Sequence, residues 1–130
     1  MSTLTQSPAQ VVQRLLPALT KEELRKDLEA FLANVKELEQ ARAKQARLTG
    51  VTVEMNNISE NICKLSRRIL FRIWPADDGF ELAGAVIDLF REAADLIPHR
   101  TEEYPLLGDF AENIRLRADD LQPLVVVGAT

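Results

Sequence analysis

Apolar residues recur along most of this chain at intervals of three and four, the repeat of one face of an α-helix. The clearest run is Leu24, Leu28, Phe31, Val35 and Leu38, spaced 4, 3, 4 and 3. That is the spacing of a seam between paired helices. It predicts a long helix over 21–48, opened by "TKEE" (20–23), in which Thr20 and Glu23 stand at capping-box spacing. Continued strictly, the repeat lands on Arg42 and Gln45, so the seam turns polar near its far end.

A second run, Met55, Ile58, Ile62, Leu65, Ile69 and Ile73, follows "TGVT" (49–52), in which Thr52 is a potential N-cap. If the chain reverses at Gly50, positions whose numbers total about 100 face each other. Leu38 then meets Ile62, Val35 meets Leu65 and Phe31 meets Ile69, all apolar pairs. A continuous rod over 21–74 would need two skips in its heptad to keep one seam. A hairpin of helices 21–48 and 52–74 is the simpler expectation.

Three further helices are predicted around this hairpin. Ser7-Pro8 reads as an N-cap with proline at the first helical position, and Pro17 ends or kinks the short helix it opens. Residues 80–97 carry a wide apolar face that includes Leu82, Val86, Leu89, Phe90, Ala93 and Ile97, and Pro98 closes that segment. The last helix has Thr101 or Asp109 as possible caps and Leu107, Phe110, Ile114 and Leu121 among its apolar positions. Pro123 lies near its end, and the apolar, β-branched tail "LVVVGAT" follows. The expectation is an all-α, bundle-like single domain over 1–130, with 1–6 and 124–130 as flexible or partner-docked tails.

Composition agrees with a helical core. The chain has 130 residues, 46% of them apolar and only 5% aromatic, so its interior must rest on aliphatic side chains. The single cysteine, Cys63, excludes an internal disulfide and suits a reducing, cytoplasmic setting. The first residues lack the basic and apolar segments of a signal peptide, and no apolar run is long enough for a membrane span.

The net charge of −4 hides an asymmetry. Residues 36–74 carry eight basic and four acidic side chains, whereas residues 75–130 carry four basic and twelve acidic ones. In the third helix Lys64, Arg68 and Arg72 recur every four residues with Arg67 alongside, a ridge able to contact phosphates. Arg42, Lys44 and Arg47 would extend it at the hairpin tip. No recognition-helix or glycine-aromatic RNA motif accompanies the ridge, so nucleic acid is the secondary expectation. A third reading has acidic residues within 77–120 occupying a partner's basic groove.

Catalytic chemistry finds little footing. Asp88, Glu92 and Asp95 follow a helical spacing without the histidine or calcium-loop pattern of a metal site. His99 is the only histidine, and Cys63 reads as a small buried residue. No cofactor, metal, membrane or small-molecule substrate is expected, and the chain is read as a non-enzymatic protein–protein module. The stripe Val11, Val12, Leu15, Leu16 and Leu19 and the tail residues Leu124, Val125, Val126 and Val127 either fold back on the hairpin or enter another copy or partner. Self-association is therefore the leading expectation.

Overall fold

A computed structural model describes residues 7–44, 51–73 and 79–129. Helix α1 (Pro8–Leu15) starts in a full capping box. Ser7 Oγ accepts from the Gln10 amide at 3.2 Å, and Gln10 Oε1 accepts from the Ser7 amide at 2.9 Å. Pro17 ends the helix as expected, in a 3₁₀ turn over Leu16–Ala18. The long helices α2 (Glu22–Lys44), α3 (Val53–Ile73), α4 (Gly79–Leu96) and α5 (Leu107–Ala129) follow. The described residues contain no strand.

The seams read from the sequence are the core. Leu24, Leu28, Phe31, Val35 and Leu38 are buried, and so are Met55, Ile58, Ile62, Leu65, Ile69 and Ile73. Helices α2 and α3 form the antiparallel hairpin. Arg72, near the end of α3, bonds Asp27 and Glu23 near the start of α2. Thr52 caps α3 by accepting from the Met55 amide at 3.1 Å. The α2 seam does not turn polar where strict heptads place Arg42. Ala41 takes the next buried position, and Arg42 points outward. The turn around Gly50 lies outside the described residues.

A second antiparallel hairpin is made by α4 and α5, with Arg91 facing Asp119 and Asp95 facing Arg115. The hairpins lie side by side. Arg117 of α5 reaches Cys63 and Ser66 of α3, and Arg42 of α2 reaches the carbonyl of Leu96 at the end of α4. Hence α3 runs beside α5, and α2 and α4 bring their C-terminal ends together. Across the centre, the rings of Phe31 and Phe90 lie 5.1 Å apart, tilted by 37°.

Helix α4 is the innermost element because it also supports α1. The expected positions Leu82, Val86, Leu89, Phe90, Ala93 and Ile97 are buried, and Ala83, Ala85, Ile87 and Ala94 are buried as well. Val12 of α1 is fully buried, while Arg14 pairs with Glu81 at the rim.

Three local expectations are corrected. The capping box at Thr20 is not made. Helix α2 starts at Glu22, with the Lys21 carbonyl accepting from the Arg25 amide, and the Glu23 carboxylate turns to Arg72 instead. Neither Thr101 nor Asp109 caps α5. Thr101 Oγ1 accepts from the Tyr104 amide within the preceding loop, and α5 begins after Leu106, whose side chain has no acceptor. The third correction concerns the tail expected after Pro123, because α5 continues to Ala129. A proline there removes one hydrogen bond to the preceding turn. Leu121 is nevertheless buried, and Leu124 and Val125 pack on the core, so the helix is held through that position.

Candidate interaction surface

The basic ridge of α3 is largely engaged within the chain. Arg72 Nε donates to Asp27 Oδ2 at 2.8 Å, and its Nη1 donates to Glu23. Partial desolvation lowers the Arg72 pKa, but the hydrogen bonds and charges of Glu23 and Asp27 outweigh that effect and raise it. Arg68 stands 3.9 Å from Asp27, and Lys64 stands 3.6 Å from Glu60 one turn away. The cations thus meet acidic residues of α2 and of α3 itself. In the described structure the acidic C-terminal half does not supply their partners.

Asp27 is the hub of this arrangement, since both arginines converge on it and its side chain is only 13% exposed. Removing it leaves Arg72 facing Glu23 alone. Asp27→Ala is therefore expected to lower the unfolding free energy by about 1 kcal/mol, because a charge-assisted bond is lost in a partly screened site. Urea denaturation at low and high salt measures this loss, which should shrink as salt rises.

Arg67 has a different neighbour. Its guanidinium lies 5.8 Å from the centre of the Phe71 ring, a cation–π distance. Phe71 is 66% exposed, the most accessible large apolar side chain among the described residues. Further back along α3, a shallow groove of about 470 Å³ between α2 and α3 is lined by Asn34, Asn61, Lys64, Leu65, Arg67 and Arg68, while Phe71 itself faces Lys21, Glu22 and Glu23 at the start of α2. This surface is aromatic at its end and positive along its length.

Helix α5 presents the opposite character. Leu116 is 52% exposed. Glu112 and Asp120 stand four residues before and after it, on one exposed side of the helix. An aliphatic side chain is thus flanked by carboxylates. On the side of α5 that faces α3, Arg117 makes a polar contact. Arg117 Nη1 donates to the Cys63 carbonyl at 2.7 Å, to Ser66 Oγ at 3.0 Å and to Cys63 Sγ at 3.3 Å. Ser66 in turn donates to the Cys63 carbonyl at 2.6 Å. This cluster ties α5 to α3, and the sequence offered no signal for it.

The other candidate residues fall as follows. Val12 is buried in the chain's own core, and Val11, Leu15, Leu16 and Leu19 are half-buried against it. Leu124 and Val125 are also half-buried, whereas the side chains of Val126 and Val127 lie outside the described residues. Lys44 is exposed, and Arg47 lies outside the described residues. Among the described residues no group of three or more metal-ligating side chains converges. His99 is exposed and Cys63 is buried. No described helix is long and apolar enough to cross a membrane.

Set against protein-family models, curated proteins and solved structures, the chain finds no match in any of the three.

Proposed function

We propose that this protein is a non-enzymatic, self-associating helical module in which the basic, aromatic stripe of α3 on one copy receives the acidic, aliphatic stripe of α5 on another. The observation that carries this reading is the complementarity of two exposed patches on one chain. Arg67 lies against the exposed Phe71 ring, with Arg68 and Lys64 further back along α3, while Leu116 stands between Glu112 and Asp120. Apolar side chains bury area at such a contact, and the charges around them select the partner and its register. Because the two patches differ, the contact is head-to-tail and builds rings or open chains. The N-terminal stripe is a poorer seat, since its own chain already covers most of it.

Charge exchange tests this arrangement. Sedimentation of the native chain should show concentration-dependent association in the micromolar range. The double variant Lys64→Glu, Arg67→Glu should be monomeric, and so should Glu112→Lys, Asp120→Lys. Mixing the two variants should restore association, because the reversed stripes now complement each other. A native chain that stays monomeric at tens of micromolar, or variants that associate as the native chain does, would refute the reading.

A further inference from the structure

At the end of the bundle where α2 and α4 finish and α5 begins, a cleft of about 620 Å³ opens to solvent. Arg42, Arg100 and Arg115 line it, from three different segments of the chain, together with His99. The only carboxylate in its lining is Asp95, which accepts from Arg115 Nη2 at 2.9 Å. Three guanidinium groups against one carboxylate leave two positive charges in one concavity. Its volume is within the ordinary range of small-ligand sites.

The arginines keep donors in reserve. A guanidinium carries five N–H groups. Arg42 contributes Nη1 to the Leu96 carbonyl, at 2.6 Å, and Arg115 contributes Nη2 to Asp95. Arg100 makes no side-chain hydrogen bond or ion pair among the described residues. Its stem crosses the first turn of α5 where that helix has no side chain. A Cβ placed on Gly108 would come within 3.8 Å of Arg100 Cδ. That is an ordinary van der Waals distance, so the arginine stem packs over the start of α5 whether or not position 108 carries a side chain. The unfilled amides of that uncapped turn add positive potential to the same side of the cleft. Glu102, Glu103, Asp109 and Glu112 are near in sequence, but none of them lines it.

We infer that this cleft binds a dianionic phosphoryl group, either inorganic phosphate or the phosphate of a small monoester, held by Arg100 and Arg115 with Arg42 behind them. Planar guanidinium groups suit phosphate oxygens because two parallel N–H donors match two oxygens. The residual charge of the lining matches that of a phosphate monoester near neutral pH. This goes beyond the assembly role, uses none of its residues, and either can fail without the other.

The test is a titration of the full-length, ¹⁵N-labelled chain with inorganic phosphate, and separately with glycerol phosphate, against sodium chloride of matched ionic strength. The expected result is a saturable shift of the Gly108 amide and its neighbours with either phosphate and none with chloride. Tighter binding of the monoester would assign an organic phosphate as the ligand, and equal binding would assign phosphate itself. Arg100→Gln should weaken binding roughly tenfold, the loss of one charge-assisted contact. The double variant with Arg115→Gln should abolish it while the thermal melt confirms an intact fold. Shifts that follow ionic strength alone, an absence of saturation, or an Arg100→Gln chain that titrates like the native one would each overturn the assignment.

Discussion

Replacing Phe31 with alanine is expected to lower the unfolding free energy by about 3–5 kcal/mol, the range for truncating a fully buried aromatic side chain. Phe31 has no exposed surface, and its ring meets that of Phe90 at 5.1 Å. The contact joins α2 of one hairpin to α4 of the other. Truncation therefore opens a void at the junction of the two halves, where neither hairpin alone can collapse to fill it. Total stability for a domain of this size is roughly 5–15 kcal/mol, so the variant loses a large share of it. Urea and thermal unfolding measure the loss. A double-mutant cycle with Phe31→Leu and Phe90→Leu should also show coupling of about 0.5–1.5 kcal/mol, the part belonging to the aromatic pair. A cost below about 1 kcal/mol for Phe31→Ala would mean that the two hairpins do not share this core.

The helices and the first hairpin could be read from the sequence because their information is local. Spacing of Leu, Ile and Phe at three and four places a stripe on a helix, and two such stripes flanking a turn face each other once the chain reverses. Asp27 with Arg72 agrees with that pairing to within about a residue, although neither belongs to an apolar seam. The relation between the two hairpins was not readable in this way. Each stripe on α4 and α5 states that a face is buried, but not against which neighbour. The burial of Ala83, Ala85 and Ala94 shows why, since alanine is equally at home in a helix core and on a helix surface.

Charge was readable in amount and misleading in use. The ridge on α3 is as basic as its spacing promised, yet Lys64, Arg68 and Arg72 already engage Glu60, Asp27 and Glu23 of the same hairpin. The Thr20 cap was lost for a related reason. Glu23 had the right spacing from Thr20, but a guanidinium on the facing helix outcompeted a local backbone amide for its carboxylate. Spacing along the chain cannot register a competitor that folding brings from 49 residues away. The cleft at the bundle end was unreadable altogether, because Arg42, Arg100 and Arg115 meet only after both hairpins have docked.

Val12→Asp is expected to be the next most damaging change, lowering stability by about 2–3 kcal/mol. The loss has a natural ceiling. Keeping a carboxylate at a position with no exposed surface would cost several kcal/mol. The chain can escape that penalty by releasing α1, and then loses only the apolar burial and the Arg14–Glu81 pair that docking supplies. An eight-residue helix does not persist unsupported, so released α1 also melts. Chemical denaturation together with amide exchange over residues 8–18 reads both effects, and Val11→Asp, at a half-buried site, should do less. The same variant separates the two roles open to the N-terminal stripe. If α1 belongs to its own chain's core, Val12→Asp lowers the unfolding midpoint and leaves the α3–α5 association in place. If the stripe instead seats a second copy, association is lost while the midpoint of the monomer stays where it was. The full burial of Val12 within a single chain supports the first outcome.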